Sequence, residues 1–287
     1  MDKNWTVAVT GAAGHVGARL VEALDARGLA TRPLTRENGD VGDRAAMLAA
    51  LEGVDAAYYL VHSLGDSGDF EETERRNARE FGAAARERGL QRLVYLGGIV
   101  HADDLSPHLR SRREVGEVLR ASGVPTVELR ASIVVGAGSA SFELVRTMVE
   151  KLPTIVAPDW LDHAAQPIAL DDVVEYLVAA LDVPLESEAV YEVGGADRVR
   201  YRDLVNEVAE QLGRPKRAVT VPLPEPPLGV SQLPRRLAQL VPGKLRLAAN
   251  LIESLQYDTD VRDTAALRDF PVRPRGLRDA VAAALAA

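Results

Sequence analysis

The sequence predicts an α/β fold: a doubly wound parallel sheet with helices on both faces. Three observations carry this. Short apolar runs alternate with amphipathic stretches of helical spacing through the first two-thirds of the chain. A glycine-rich turn follows the first run and opens the first helix. The length, 287 residues, suits one large domain or a domain with a small appended lobe.

The strand-like runs are Thr6–Thr10, Ala30–Leu34, Ala56–Val61, Arg92–Leu96 and Thr126–Arg130. Helical spacing occupies Val16–Arg27, Arg44–Leu51, Phe70–Arg88 and Ser111–Ser122. Runs that are apolar throughout fit burial on both faces. Right-handed crossovers between them then give a Rossmann-like sheet.

The last third is less regular. Helices are expected at Asp171–Leu181, Tyr201–Leu212 and Arg275–Ala286, and a strand at Ala189–Val193. Residues 222 to 242 hold six of the 16 prolines, a density that precludes one long helix. A linker and a semi-rigid flap both fit. The apolar residues Leu223, Leu228, Val230, Leu233, Leu237 and Leu240 favour the flap.

Charge and composition exclude several classes. The 34 basic residues comprise four lysines and 30 arginines; against 42 acidic residues they leave a net charge of −8. Without a basic run, such a chain is a poor partner for nucleic acid or an anionic membrane surface. With no cysteine, disulfides, thiolate catalysis and Cys-ligated zinc are impossible. The five histidines show no His-x-x-x-His spacing. No apolar stretch approaches the roughly 20 residues a membrane helix needs. The N-terminus runs straight into the first strand with no secretory signal, so a cytoplasmic protein is expected.

The strongest signal is Thr10-Gly11-Ala12-Ala13-Gly14-His15-Val16-Gly17. Gly11 permits a sharp turn, Gly14 a close backbone approach to a pyrophosphate, and Gly17 close packing of helix on strand. The helix N-terminus then faces the diphosphate, with Ala13, His15 and Val16 around it.

The Gly-x-x-Gly-x-x-Gly spacing resembles the short-chain dehydrogenase/reductase superfamily, in its extended and atypical branches, over roughly residues 5 to 215. Supporting pieces are Gly39-Asp40-Val41-Gly42-Asp43, Gly53-Val54-Asp55 and Arg92-Leu93-Val94-Tyr95-Leu96-Gly97-Gly98. Leu119-Arg120-Ala121-Ser122-Gly123-Val124-Pro125 and Pro167-Ile168-Ala169-Leu170-Asp171-Asp172-Val173 extend the match. The chain looks most like NAD(P)H-binding atypical reductases of actinobacterial type.

The second strand ends in Pro33-Leu34-Thr35-Arg36-Glu37. NAD enzymes usually place a carboxylate about 20 residues past the glycines. Arg36 can instead pair with a 2′-phosphate and stack on adenine, which favours NADP(H). Glu37 keeps an NAD reading open. The resemblance implies that Asp40 and Val41 line the adenine pocket; Asp40 as a cap for the helix near Arg44 is the alternative. The backbone of Leu60, Val61 and His62 is expected along the cofactor, at the carboxyl edge of the sheet. In relatives the backbone at Ser132 and Ile133 meets the nicotinamide carboxamide.

Most reductases of this superfamily use Tyr-x-x-x-Lys, the tyrosine protonating the carbonyl oxygen as hydride arrives. Four residues after the seven tyrosines stand His62, Ser63, Ile99, Ala180, Gly195, Val205 and Val261, none of them lysine. The family register puts Arg112 at the lysine position, His108 at the tyrosine position and Gly97-Gly98 in place of the catalytic serine. Ser106-Pro107 reads as an N-cap and first helical residue, placing His108 in the first turn on one face with Arg112. The helix N-terminus and Arg112 both disfavour an imidazolium, so His108 is expected neutral, polarising a carbonyl by one hydrogen bond. Arg112, unable to release its proton, is expected to anchor ribose or substrate. A surface histidine and a solvated arginine are the plain alternative.

His101, at the same sheet edge, reads as a substrate contact or an ordinary loop histidine. Trp160 reads as pocket lining or packing. Asp171 and Asp172 read as helix caps.

The resulting organisation is a dinucleotide-binding core over residues 1–160. A C-terminal substrate-binding part, residues 161–287 with a flap near 222–250, is intertwined with it as one domain. The expected activity is NADPH-dependent reduction of a bulky, aromatic or polyketide-like small-molecule carbonyl. Two alternatives stand beside it. One is a non-catalytic NADP(H)-binding redox sensor or accessory protein; the other is an epimerase, which loss of the Tyr-Lys pair disfavours.

Overall fold

The computed structural model describes residues 5–61, 70–102, 105–152, 156–157, 159–214, 219–220 and 255–287. His62, the Pro-rich stretch 222–242 and the side chain of Trp160 lie outside the described residues.

Six parallel strands form the central sheet: β1 (Thr6–Thr10), β2 (Ala30–Leu34), β3 (Ala56–Tyr59), β4 (Arg92–Gly98), β5 (Thr126–Ala131) and β6 (Glu188–Val193). Their order is β6-β5-β4-β3-β1-β2. The chain leaves β1 for β2 on one side and returns to β3 on the other. The crevice above the carboxyl ends of β1 and β3 is therefore the topological switch point where ligands bind in such sheets. Thr10 ties the two strands there: its hydroxyl donates to the Tyr58 carbonyl at 3.0 Å and accepts from the Leu60 N–H at 3.1 Å.

Alternation along the strands feeds two apolar layers. Val7, Val9 and Tyr58 pack with Leu20 and Leu24 of α1 (His15–Ala26) and Val173 and Leu177 of a later helix, Leu170–Ala179. Ala8, Tyr59 and Tyr95 point the other way. There they meet Met47 of α2 (Arg44–Ala50), Phe81 of α3 (Phe70–Glu87) and Leu119 of α4 (Pro107–Arg120). Truncating a core ring such as Phe81 to alanine costs about 3–5 kcal/mol.

A third apolar cluster joins α5 (Ala140–Lys151), α6 (Leu170–Ala179, through neighbouring Ala169), α7 (Tyr201–Gln211) and α9 (Leu277–Ala286); α8 is the short helix Ala265–Asp269. Among the described residues no helix is long and apolar enough to cross a membrane.

Several expectations need correction. β2 is not buried on both faces: it is the sheet edge, only Leu34 is buried, and Pro33 is tolerated because an edge strand has no second ladder to serve. Asp40 does not cap α2; the Asp43 side chain does, accepting from Ala45 and Ala46, while Asp40 closes a turn onto the Gly42 N–H at 2.9 Å. Asp171 and Asp172 lie in the first turn of α6, whose N-cap is Ala169, so they are not caps. Asp171 pairs with Arg19 and Arg275, and Asp172 accepts the Arg275 N–H at 2.7 Å. Burial raises the Asp172 carboxyl, while hydrogen bonds from Arg19 and Arg275 lower that of Asp171. Helix α5 was not expected at all.

Candidate functional site

A cavity of about 1120 Å³ opens above the carboxyl ends of the sheet strands. Its lining follows the strand order. Arg36, Asp40 and Val41 come after β2, and Gly11, Ala13, Gly14, His15, Val16 and Gly17 after β1. Leu60 and Val61 follow β3, Gly97 belongs to β4, and Ser132 and Ile133 follow β5. His108 and Arg112 reach the same cavity from α4. The two catalytic candidates and every described cofactor candidate thus share one space.

The glycine turn has local physical causes. Gly11 adopts φ +67°, where side chains are strained, and a Cβ on it would meet the Leu60 carbonyl at 3.0 Å. A Cβ on Gly17 would sit 2.2 Å from the Gly11 carbonyl oxygen. Gly14 is the N-cap of α1, no side chain caps the helix there, and its first turn holds no carboxylate. No carboxylate of its own first turn offsets the positive end of α1, which lies beside the cavity.

At the β2 end, Asn38 shapes the turn by accepting from the Thr35 N–H at 2.6 Å and donating to the Pro33 carbonyl at 3.2 Å. Arg36 and Glu37 are exposed, and neither side chain has an ion-pair partner among the described residues. Asn77 of α3 also lines this end. It is 8% exposed, and its Oδ1 has no hydrogen-bond partner among the described residues.

On α4, the Ser106 hydroxyl caps the Leu109 N–H at 3.4 Å and Pro107 is the first helical residue. His108 therefore sits in the first turn, half-buried. Burial, and secondarily the Arg112 charge, lower its pKa to about 4, so the imidazole is neutral near pH 7. Arg112 donates from Nη2 to the Leu96 carbonyl, and its guanidinium lies 5.8 Å from the Tyr95 ring centroid. His101 is not on the cavity wall. Its Nε2 lies 2.8 Å from the Asp260 carbonyl and its Nδ1 3.7 Å from Glu192, which makes it a tie between segments rather than a substrate contact.

The other half of the cavity is formed by residues outside the sequence-predicted site. Leu144, Val145 and Met148 of α5, Tyr201, Leu204 and Val205 of α7, and Leu161, Leu255 and Thr259 line it. The signal for α5 was present: apolar residues at 142, 145 and 149 after Ser139 have helical spacing. Asn77 had none, looking like any polar residue of an amphipathic helix.

The doubly wound sheet and its glycine-floored cleft fit the short-chain dehydrogenase/reductase superfamily, a family of oxidoreductase type. Within that superfamily the chain belongs to the NmrA-like family, whose model matches residues 3–228. It is 30% identical over 232 residues to a (4-alkanoyl-5-oxo-2,5-dihydrofuran-3-yl)methyl phosphate reductase of Streptomyces griseus, covering 74% of this chain and 75% of that one. It is 33% identical over 109 residues to sterol demethylase protein B of Methylococcus capsulatus, covering 31% and 33%. Among solved structures, UDP-glucose 4-epimerase of Thermotoga maritima superposes with a TM-score of 0.73 at 15% identity, covering 98% of this chain and 97% of that one. MoeE5 in complex with UDP-glucose and NAD gives 0.71 at 19%, with 98% and 97% covered. At these identities the structures establish the fold alone.

Proposed function

We propose that the protein is an NADPH-dependent reductase of a bulky, aromatic or polyketide-like carbonyl compound, acting without a Tyr-Lys pair. One observation carries this reading: a single cavity joins the glycine turn and Arg36 to an apolar half, with His108 on its wall. The reductase relative from Streptomyces griseus supports it.

The residues present fit a dinucleotide. Glycines stand where a Cβ would block the turn, α1 offers an N-terminus with no side-chain cap, and Asn77 holds a buried acceptor without a donor among the described residues. Backbone at Gly11, Ala13, Gly14, His15, Val16 and Gly17 would hold the diphosphate, and Arg36 the 2′-phosphate. Asp40, Val41 and Asn77 would flank the adenine. Leu60, Val61 and Gly97 would run along the middle, and backbone at Ser132 and Ile133 would meet the carboxamide. NADPH, when bound, supplies the hydride.

The chain's own contribution is positioning and polarisation. Neutral His108 donates one hydrogen bond to the carbonyl oxygen. Arg112 holds the wall of the site and anchors ribose or substrate. The proton for the product oxygen comes from water or from a neighbouring substrate hydroxyl. The test is NADPH oxidation against a panel of aromatic ketones and quinones, with NADH as control. Turnover with NADPH, reduced in His108→Ala at unchanged NADPH affinity, is the expected result.

The depressed His108 pKa and the missing Tyr-Lys pair favour one second reading, a non-catalytic NADP(H)-binding sensor or accessory protein. Tight NADPH binding without turnover across the panel selects it.

A further inference from the structure

Three hydroxyls meet in the apolar half of the cavity. Thr259 Oγ1 lies 2.8 Å from the Tyr201 hydroxyl and 3.1 Å from Ser132 Oγ. Ser132 Oγ also accepts the Gln166 N–H at 3.1 Å. All three residues are buried and all three line the cavity. They come from separate parts of the fold. Ser132 follows β5 and Tyr201 opens α7, while Thr259 is bridged to Ala165, its N–H on the Ala164 carbonyl at 2.8 Å.

The proton count is decisive. Each hydroxyl can donate one hydrogen bond. Two contacts link the three groups, so two protons are spent whichever way the chain is polarised. One O–H is left over, and no acceptor meets it among the described residues. A buried donor left in this state is costly and calls for a partner. Tyr201 belongs to one apolar cluster with Leu144, Val145, Met148, Leu204 and Leu255, which line the same cavity. Among the described lining residues the two arginines, Arg36 and Arg112, belong to the β2 and α4 sides, not to this half. Burial raises the Tyr201 pKa, which fits a donor that keeps its proton.

We propose that Ser132, Thr259 and Tyr201 form a recognition site that donates one hydrogen bond to a neutral carbonyl oxygen of an otherwise apolar ligand. That this ligand is the substrate rests on the reductase reading; the site itself does not. The part of the ligand seated here is thus uncharged and oxygen-bearing, not a phosphate or a diphosphate.

The test uses the full chain carrying His108→Ala, which removes the hydrogen bond that the reductase reading gives to His108, saturated with NADP+. It uses two probes of one shape, 2-acetylnaphthalene and 2-isopropenylnaphthalene, in which C=CH2 replaces C=O; the hydroxyl variants are made in this parent. The ketone is expected to bind about five- to tenfold more tightly, the worth of one hydrogen bond. Its carbonyl stretch is expected to move to lower frequency. Ser132→Ala and Tyr201→Phe each leave two hydroxyls sharing one bond, so either single variant keeps the preference. The triple variant Ser132→Ala/Thr259→Val/Tyr201→Phe has no hydroxyl left. In it the alkene binds as well or better, because the ketone leaves its water behind uncompensated. Equal binding in the His108→Ala parent, binding of neither probe, or a preference that survives the triple variant overturns the proposal. Should the triple variant not fold, the ratio in the His108→Ala parent and its carbonyl shift decide alone. NADPH titrations of the same proteins read the cofactor end separately: failure there strikes the reductase reading and leaves the ketone–alkene comparison standing.

Discussion

Arg112 donates from Nη2 to the carbonyl oxygen of Leu96, fastening α4 to the carboxyl end of β4. Tyr95 reinforces the tie, its hydroxyl donating to the Arg112 carbonyl at 2.9 Å beneath the guanidinium. The residue in the lysine register is therefore part of the wall as well as a charge beside His108. Arg112→Met keeps the length and loses the charge-assisted bond, at a cost of about 1.5–3 kcal/mol. Thermal unfolding should shift down accordingly. The His108 pKa should also rise from about 4, since one of its two causes disappears and burial remains. An NMR titration of the His108 ring checks this; an unmoved pKa refutes the coupling.

His108 also makes stability depend on pH. Its folded pKa, about 4, lies below the ordinary value of 6.5. Between these values the unfolded chain binds the proton and the native state does not, so stability rises with pH across that window. The contribution is fully present above pH 6.5 and is lost as pH falls towards 4. Its full size is on the order of 3 kcal/mol, because each tenfold loss of proton affinity on folding is worth about 1.4 kcal/mol. His108→Gln should flatten the stability profile of urea unfolding over that window; an unchanged slope would assign it to other groups.

Two glycine substitutions separate geometry from ligand contact. In Gly17→Ala the new Cβ falls 2.2 Å from the Gly11 carbonyl and 2.9 Å from Ala12 Cα, both backbone atoms. The helix must move off the turn, costing about 1–3 kcal/mol or more, and NADPH affinity should fall at least tenfold. In Gly28→Ala the Cβ meets nothing within 4 Å, but φ is +80°. That variant should lose about 1 kcal/mol to backbone strain and keep its NADPH affinity. Equal effects of the two on binding would contradict the placement of the turn.

The contrast between the two halves of the cavity shows what the chain makes legible. The change from period two to period 3.6 across Thr10 to Gly17 is local, so β1, the turn and α1 can be read from consecutive residues. The capped entry at Ser106-Pro107 is equally local, and so is the neutral state of His108, although burial outweighs the helix and charge arguments that suggested it. The hydroxyl site is different. Its members are 58 and 127 residues apart, and only tertiary packing brings them together. Short pairings such as Val134–Val135 with Ile168–Ala169 span too few residues to show a period. Asp171 and Asp172 carry a capping pattern, yet their role is set by Arg275 more than 100 positions away.

Asn77 gives the sharpest test of the cofactor end. Its Oδ1 is buried without a partner among the described residues, and a Cβ on Gly42 would come within 2.7 Å of it, so the side chain is held in place by close packing. A desolvated amide that makes no bond costs the empty protein stability; one that meets a ligand donor recovers it on binding. Asn77→Leu keeps the branched outline and the number of heavy atoms and removes the polar ones, though its methyl groups are bulkier than the amide. The unliganded variant should stay within about 1 kcal/mol of the wild type, relief of the desolvated amide offsetting the added bulk, while NADPH affinity falls roughly five- to tenfold. Thermal melts with and without NADPH measure both quantities in one experiment. A variant that loses stability without ligand yet keeps the full NADPH-induced shift would make Asn77 a packing residue, and would move the adenine away from α3.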